Sequence, residues 1–212
     1  MEDRESSVPD RIVTEADVAL GRAHLLRLEP RFSRIPGPLP LRRRADGFAA
    51  LLQAIVGQQV STASAAAIWA RLQEAKLCEE SAVAASSEED LRACGLSRPK
   101  VRYAHALARA RIDYVALREV ETEAVVETLT AITGIGRWTA EIYAKFALGH
   151  TDVFAAGDLA LQEGAKLLFD LPARPNEREM HDMAGAWSPV RAIAARALWA
   201  YYREKTKREG AL

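Results

Sequence analysis

The sequence contains few cysteines and no excess of charge of either sign. Only Cys78 and Cys94 occur among 212 residues. Two thiols are too few for a disulfide framework or for an iron–sulfur cluster with four thiolate ligands. Lysine plus arginine and aspartate plus glutamate both number 29. The net charge therefore does not indicate a polyanionic partner, although a local basic face is compatible with it.

Long apolar runs and a secretion signal are lacking as well. The first residues, MEDRESSVPDR, are polar and charged, and no apolar run approaches the roughly 20 residues that span a bilayer. The apolar fraction of 49% is nevertheless high enough for a sizeable core. We expect a cytoplasmic protein without membrane association. No pattern for self-association is present, so a monomer is expected.

Alternating strand-like runs are nearly absent, and apolar residues recur at helical spacing along most of the chain. The fold class predicted is all-α. The predicted helices cover residues 14–28, 47–57, 62–75, 87–95, 99–111, 122–132, 137–148, 159–169, a segment from 176, and 188–207. Their predicted N-caps are Thr14 with Asp17, Asp46, Ser61, Ser86 or Ser87, Asp158, and Asn176 with Glu179.

The segment TGIGRWTAEIY (133–143) places two glycines between two predicted helices. Glycine within an element is costly, so the pair indicates a forced backbone conformation. Such a turn can direct its backbone N–H groups, with those of the next helix, towards an anion such as phosphate. Arg137 adds a positive charge at this point. A plain αα-hairpin, whose glycines serve only the turn, explains the same residues.

Four segments in order resemble the helix-hairpin-helix (HhH-GPD) DNA glycosylase superfamily, and within it the AlkA-like 3-methyladenine DNA glycosylases. They are DGFAALLQAIVGQQVSTASAAAIWARL (46–72), CGLSRPKVRYAHALA (94–108), the hairpin through GDLAL (129–161) and WSPVRAIAARALWAYY (187–202). The resemblance covers about three quarters of the chain. It implies a two-lobed helical protein that binds double-stranded DNA and flips a damaged nucleotide into a cleft between the lobes.

The resemblance also implies a division of the chain. Residues 1–40 are expected to pack with the C-terminal lobe, residues 41–120 to form the middle lobe, and residues 121–212 to contain the hairpin and the C-terminal lobe. The protein would act in the bacterial cytoplasm, on the DNA of the nucleoid.

The resemblance assigns catalysis to Asp158, which lies 20 positions after Trp138. Cleavage of an N-glycosidic bond builds positive charge on the deoxyribose, and a carboxylate stabilises that charge and orients the attacking water. A position at a helix N-terminus favours the ionised carboxylate. Taken without the resemblance, Asp158 is as well explained as a simple N-cap.

Trp138 stands where lyase-competent members of the superfamily carry a lysine. Without that amine no Schiff base forms at the hairpin, so a monofunctional glycosylase that releases the base and leaves an abasic site is expected. The substrates implied are alkylated purines: 3-methyladenine first, with 7-methylguanine, 1-methyladenine and ethenoadenine as further candidates. No cofactor is required, and no iron–sulfur cluster is expected.

The base pocket implied by the resemblance is lined by Trp138, Trp199 and Phe48, although plain core packing also explains each aromatic side chain. Indole faces attract cationic alkylated purines. Ile142 stands where the family carries a pocket tyrosine, with Tyr143 one residue further. Gln59 matches the wedge that fills the space of the flipped base, although capping of helix ends would also explain a glutamine there.

The sequence also offers candidates for contacts to DNA phosphates, which hold the DNA without reading its base sequence. The candidates are Gly134, Gly136, Arg137, Ser97 and Lys100. The carbonyl groups of Thr133 and Ile135 are candidate ligands of a structural Na⁺ or K⁺ at the hairpin.

Two rival functions stay open. One is a glycosylase of the same superfamily that acts on oxidised or mismatched bases, which a lysine at position 138 or a C-terminal cysteine cluster would have favoured. The other is a non-catalytic helix-hairpin-helix module that only clamps phosphate. Such a module needs neither Asp158 nor a pocket lined by tryptophan.

Overall fold

The computed structural model describes residues 8–206, and within this range it contains helices and no β-strand. A single isolated bridge joins Arg11 and His150. The α-helices are α1 (Glu15–Leu28), α2 (Phe48–Gly57), α3 (Thr62–Glu74), α4 (Glu80–Ala85), α5 (Glu88–Ala93), α6 (Arg98–Ala110), α7 (Tyr114–Glu119), α8 (Thr122–Thr130), α9 (Arg137–Tyr143), α10 (Leu159–Leu168), α11 (Glu177–Gly185) and α12 (Arg191–Thr206). The all-α prediction is confirmed. Among the described helices, none is both long and apolar enough to cross a membrane.

Most of the predicted helix starts are confirmed. Thr14 with Asp17 and Asn176 with Glu179 form reciprocal capping boxes. Ser61, Ser87 and Asp158 each accept a hydrogen bond from a backbone N–H of the first turn that follows. These polar side chains satisfy amides that would otherwise lack an acceptor, which explains why the sequence alone located these helix starts.

The predicted cap Asp46 is wrong. The N-cap of α2 is Gly47, whose N–H donates to the Tyr143 hydroxyl at 2.8 Å, and no side chain caps the helix. The Asp46 carboxylate instead pairs with Arg118, 72 residues away. A partner so distant in sequence could not be identified from local pattern.

The predicted helix 137–148 has an irregular second half. The α-helical bonds of α9 end at Tyr143, and residues Ala144–Leu148 form a π-helical turn. π-Helical turns are rare and are frequent at functional sites, because they rotate the side chains that follow out of α-helical register. This turn contains Lys145 and Phe146.

The described residues form two compact units. One comprises the chain up to Arg43 together with the chain from Ala144 onward, and the other is Arg44–Tyr143. The hairpin belongs to the second unit, whereas the sequence placed the boundary near residue 120. It does so because α9 packs on α8 and because Gly134 lies against the Tyr103 side chain of α6.

The core of the first unit is aromatic, and its helices approach closely. Phe32 and Phe169 both pack on Trp187, with ring centroids 5.4 and 5.7 Å away. Helices α10 and α12 meet at Gly164, where a Cβ would lie 2.7 Å from the Leu198 carbonyl oxygen. Only glycine permits this approach, which holds the start of α10 beside α12.

The second unit is built on aliphatic side chains of α2, α6 and α8. Leu52, Ile55 and Val56 of α2 are fully buried, as are Leu107 of α6 and Leu129 of α8. The tight packing of α2 on α6 and of α8 on α9 fixes the hairpin and the α2–α3 turn as parts of one body.

Candidate functional site

The hairpin between α8 and α9 uses its two glycines differently. Gly134 has φ +98°, and a Cβ there would lie 2.2 Å from Cγ of Tyr103, so both its backbone conformation and its neighbour require glycine. A Cβ on Gly136 would meet no atom within 4 Å, and its φ is not positive. The fold of the described residues therefore does not require glycine at position 136. A glycine there leaves the backbone open to close approach from outside.

The hairpin also presents backbone groups that no described residue uses. The N–H groups of Gly136 and Arg137 have no acceptor among the described residues, and the carbonyl groups of Thr133 and Ile135 have no donor. The first N–H groups of a helix lack intrahelical partners. Gly136 is exposed, so an external anion can approach this turn.

Arg137 is already engaged within the protein. Its Nη1 and Nη2 donate to the carboxylate of Glu123 at 3.1 and 3.2 Å, and its Nε donates to Glu141 at 3.0 Å. The hydrogen bonds to Glu123 and the charge of Glu141 raise the pKa of Arg137. A phosphate at this guanidinium has to compete with two carboxylates, which weakens its predicted role as a phosphate contact.

The α2–α3 turn carries the predicted wedge. Gln59 is exposed and has φ +54°, an unusual conformation for a residue other than glycine. Gln58 beside it donates from Nε2 to the Gly134 carbonyl oxygen at 2.8 Å. The turn is thereby attached to the hairpin, and this bond leaves the Gln59 side chain directed to solvent.

The surroundings of Lys100 differ from those expected of the predicted phosphate contact. It is only 8% exposed, and its Nζ donates at 2.7 Å to the carbonyl oxygen of Val56, near the C-terminus of α2. Burial lowers the pKa of its ammonium. Lys100 therefore joins α6 to the end of α2 and supports the turn that carries Gln59. Its charge is not offered to a ligand at the surface.

The start of α6 offers other cations that the sequence reasoning missed. Arg98 and Arg102 are exposed and form no ion pair with any described residue. They lie four residues apart and so on one face of the helix. Ser97, the N-cap, is exposed, and its hydroxyl makes no capping bond. The four-residue spacing of the two arginines was a signal available in the sequence.

Asp158 lies in the other unit and is held by three donors. Its Oδ1 accepts from the N–H groups of Ala160 and Leu161 at 2.9 and 3.0 Å, and from Nε1 of Trp199 at 3.2 Å. The residue is 8% exposed. Three N–H donors on one carboxylate oxygen stabilise negative charge and fix the direction of the carboxyl group. Asp158 is thus an N-cap and also the partner of a predicted pocket residue.

Trp199 is more enclosed than a pocket wall. It is 5% exposed, its ring stacks on Phe146 with centroids 5.6 Å apart, and the Lys145 ammonium lies 4.3 Å from its ring centroid. Little of the indole is left for a flipped base. The indole N–H group donates to Asp158, so the geometry supports a role for Trp199 in directing the Asp158 carboxylate.

The two other predicted pocket residues lie in the hairpin unit and differ in exposure. Trp138 is 42% exposed and presents its indole at the surface. Phe48 is 7% exposed, at the start of α2, and contributes to the core. Ile142 and Tyr143 are both buried, and the Tyr143 hydroxyl is used by Gly47. Of the predicted aromatic residues, Trp138 alone has the accessible ring that stacking on a base requires.

Lys145 is a third residue, after Arg98 and Arg102, that the sequence did not identify. It is fully buried within the π-helical turn, surrounded by the rings of Trp199, Phe154 and Phe146. The signal was a single lysine inside the otherwise apolar run YAKFAL (143–148). Within residues 8–206 no three side chains of histidine, cysteine, aspartate or glutamate form a group that could hold a metal ion.

Comparison with known proteins places these residues in a family context. A family model described as HhH-GPD superfamily base excision DNA repair protein matches residues 52–189. This range contains the α2–α3 turn, the start of α6, the hairpin and Asp158.

Two curated relatives come from Schizosaccharomyces pombe. The chain is 34% identical over 116 residues to the alkylbase DNA glycosidase-like protein mag2, and the aligned residues cover 52% of this chain and 54% of mag2. It is 30% identical over 165 residues to DNA-3-methyladenine glycosylase 1, and the aligned residues cover 74% of this chain and 72% of that relative. The matched part thus spans about half of the first relative's length.

Two solved structures share the fold closely. A DNA-3-methyladenine glycosidase from Bacillus halodurans superposes with a TM-score of 0.79 at 29% identity, covering 89% of this chain and 91% of that one. The S. pombe 3-methyladenine DNA glycosylase Mag1, in complex with abasic DNA, superposes with a TM-score of 0.72 at 27% identity, covering 91% and 98%.

Proposed function

The chain belongs to the HhH-GPD superfamily of base excision DNA repair proteins, and from this premise we propose that it is a monofunctional DNA glycosylase that excises alkylated purines from double-stranded DNA. The observation that carries the proposal is the carboxylate of Asp158, buried and held by three N–H donors at the start of α10. A fixed carboxylate of this kind is what cleavage of an N-glycosidic bond requires.

The reaction follows from the charge that develops on the sugar. As the bond from C1′ to the base nitrogen breaks, the electron pair leaves with the base and positive charge grows on the deoxyribose. The Asp158 carboxylate stabilises that charge. Water then forms the new bond to C1′, and its proton passes to Asp158 or to solvent. The fixed direction of the carboxyl group means that little reorganisation is needed during the reaction.

Alkylated purines suit a site without a strong general acid. Alkylation at a ring nitrogen gives the base a positive charge, and the electron pair of the broken bond neutralises it, so the base leaves as a neutral molecule without being protonated. The half-exposed indole of Trp138 is the candidate stacking surface, since an indole face attracts a cationic ring. The relatives named as 3-methyladenine and alkylbase glycosylases support the same substrate class.

The hairpin unit supplies the hold on DNA. The open N–H groups of Gly136 and Arg137 donate to a phosphate oxygen, and the absent side chain at position 136 lets the phosphate approach. Arg98 and Arg102, which form no ion pair with a described residue, add two charges on the exposed face of α6. Gln59, projecting from its turn, fills the stack after the nucleotide is flipped, which offsets part of the unstacking cost of a few kcal/mol.

The carbonyl groups of Thr133 and Ile135 fit a structural Na⁺ or K⁺, because they are oxygen ligands that accept no hydrogen bond from a described residue. A bound cation would supply positive charge at the hairpin for an adjacent phosphate. Hydrolysis itself is assigned to Asp158 and water.

Strand cleavage is not part of the proposed activity. The hairpin position of the lyase lysine is taken by Trp138, and the lysine nearest to it in sequence, Lys145, is fully buried beneath Trp199. A Schiff base at C1′ requires an accessible amine. The product expected is therefore an intact strand with an abasic site.

The test is release of free methylpurines from duplex DNA treated with a methylating agent, measured chromatographically for the wild type and for Asp158→Asn. Strand breaks are scored before and after alkali. We expect 3-methyladenine release by the wild type, breaks only after alkali, and no release by Asp158→Asn. If the wild type binds the duplex but frees no base, a non-catalytic DNA-binding module is the correct function. If it frees only oxidised or mismatched bases from suitable duplexes, the substrate class is wrong.

A further inference from the structure

The ammonium of Lys145 is fully buried beside the ring of Trp199, and the proposed reaction does not use it. It lies 4.3 Å from the Trp199 ring centroid, 5.8 Å from that of Phe154 and 6.0 Å from that of Phe146. A lysine is almost never fully buried without a strong compensating interaction, because removing its charge from water is costly. A structural role alone would be served as well by leucine or methionine, which carry no such cost.

The position of the ammonium relative to the indole gives it a route to the carboxylate. A cation over the face of a tryptophan is attracted by the ring. The same ring donates its Nε1–H to Oδ1 of Asp158 at 3.2 Å. A positive charge at the ring face draws electron density from the indole and makes its N–H group a stronger donor. Lys145, Trp199 and Asp158 thus form a continuous series of contacts.

The backbone is arranged to hold this series. Lys145 occupies a π-helical turn rather than a regular α-helix. Trp199 is brought to the start of α10 by the close approach of α12 at Gly164, where a Cβ would meet the Leu198 carbonyl oxygen. The π-helical turn and the close approach of helices at Gly164 therefore both position the contact between Lys145 and Trp199.

We propose that Lys145 is a positioning residue for Asp158: through the face of Trp199 it orients the indole and strengthens the Nε1–H donor that fixes the direction of the carboxylate. The proposal rests on the proposed function for the identity of the reaction, but not for the contact itself. Lys145 does not touch the substrate, and it acts through Trp199.

Among the described residues of the same unit, the other buried titratable side chains are those of His150, Arg196 and Tyr201. Burial, and next the charge of Arg11, lower the pKa of His150 to about 4, so its ring is neutral at physiological pH. Burial and the charges of Arg42 and Arg43 lower the pKa of Arg196 to about 10. The guanidinium of Arg196 lies 5.0 Å from the centroid of the Phe146 ring, which stacks on Trp199. Arg196 stays protonated at neutral pH, so neither His150 nor Arg196 changes charge between about pH 5 and 8.

The experiment compares Lys145→Met, which keeps the length of the side chain without its charge, with Lys145→Arg, which keeps the charge. The matched control is Lys205→Met, since Lys205 also lies over an aromatic ring of α12, 5.3 Å from Tyr201, but at the surface. The single-turnover rate of base release and the dissociation constant for DNA are measured from pH 5 to 9.

We expect Lys145→Met to lower the single-turnover rate at neutral pH by about tenfold, because the indole donor that directs the carboxylate is weakened. The dissociation constant for DNA should not change. Lys145→Arg should restore part of the rate, and Lys205→Met should match the wild type. A wild-type rate in Lys145→Met would overturn the proposal, whatever happens to its stability.

A second readout does not depend on the reaction. The Nε1–H resonance of Trp199, identified by its loss in Trp199→Phe, is compared by NMR between the wild type and the variants at neutral pH. In Lys145→Met, or Lys145→Arg if the first variant does not fold, a weaker hydrogen bond to Asp158 should displace this resonance upfield, with a smaller displacement for arginine. An unchanged resonance would contradict the proposal. An inactive wild type with the expected displacements would contradict only the proposed function.

Discussion

The starts of α9 and α10 both lie close to a glycine, Gly136 and Gly157, and they differ in the partners of their N–H groups. At α10, after Gly157, the side chain of Asp158 accepts from the N–H groups of Ala160 and Leu161, and the site is buried. At α9, the N–H groups of Gly136 and Arg137 have no backbone acceptor among the described residues, and the turn is exposed. One helix start contains its own anion, and the other is open to an anion from outside. Under the proposed function, the start of α10 serves catalysis and the start of α9 serves DNA binding.

The largest expected effect comes from removing the anion of α10. Asp158→Asn keeps an oxygen that caps the helix but removes the charge, and Asp158→Ala removes both. Both should lower the single-turnover rate of base release by at least about a hundredfold. The alanine variant alone should also lose about 1 kcal/mol in the free energy of unfolding, as caps commonly contribute.

Urea titration distinguishes the two Asp158 variants. Equal stability of the asparagine and alanine variants would show that the side chain does not cap α10. An asparagine variant as fast as the wild type would remove Asp158 from the reaction.

The two glycines of the hairpin provide the next contrast. Gly134→Ala introduces strain at φ +98° and an overlap with Tyr103, so it should lower the free energy of unfolding by about 2 kcal/mol. Gly136→Ala should change stability by less than about 0.5 kcal/mol, because its Cβ meets open space. It should nevertheless weaken DNA binding, since the new methyl group lies where a phosphate approaches. Full binding by Gly136→Ala would argue against a phosphate at this turn.

The exposed arginines of α6 should contribute charge without affecting chemistry. Arg98→Gln and Arg102→Gln should each reduce by about one the slope of log binding constant against log salt concentration, with an unchanged rate at saturating enzyme. The control is Arg92→Gln on α5, an exposed arginine on the same short helix as Glu88 and Glu89. A slope unaltered in all three variants would place the DNA elsewhere.

The smallest expected effect concerns Arg137. Glu123→Gln removes its bidentate partner and should tighten DNA binding by about threefold, because a surface ion pair of this kind is weak. Glu127→Gln removes the same charge from the same helix, at an exposed position without an ion pair among the described residues. If both variants tighten binding equally, the effect is one of net charge, and Arg137 does not contact phosphate.

The helix starts were predictable where the determining residue is local. A capping side chain and its partner lie within three residues of each other, so Thr14, Ser61, Asp158 and Asn176 could be read directly from the sequence. The six-residue helices α4 (Glu80–Ala85) and α7 (Tyr114–Glu119) were not predicted, because so short a segment shows little periodicity.

The missed and altered roles depend on contacts between distant segments. Lys100 was interpreted as a surface cation because its partner, the Val56 carbonyl, lies 44 residues away. In the sequence, Lys145 is noticeable only as one charged residue in an apolar run. The role proposed for it depends on its contact with Trp199, which lies on another helix. Asp158 was identified through family resemblance, and the structure adds the donors that hold it.

The most direct test of the account is a single-turnover titration, with enzyme in excess over a duplex that contains one alkylated adenine. It gives both a dissociation constant and a maximal rate for each variant. We predict that Asp158→Asn keeps the wild-type dissociation constant and loses the maximal rate, whereas Gly136→Ala keeps the maximal rate and loses affinity. A maximal rate in Asp158→Asn equal to that of the wild type would contradict the account.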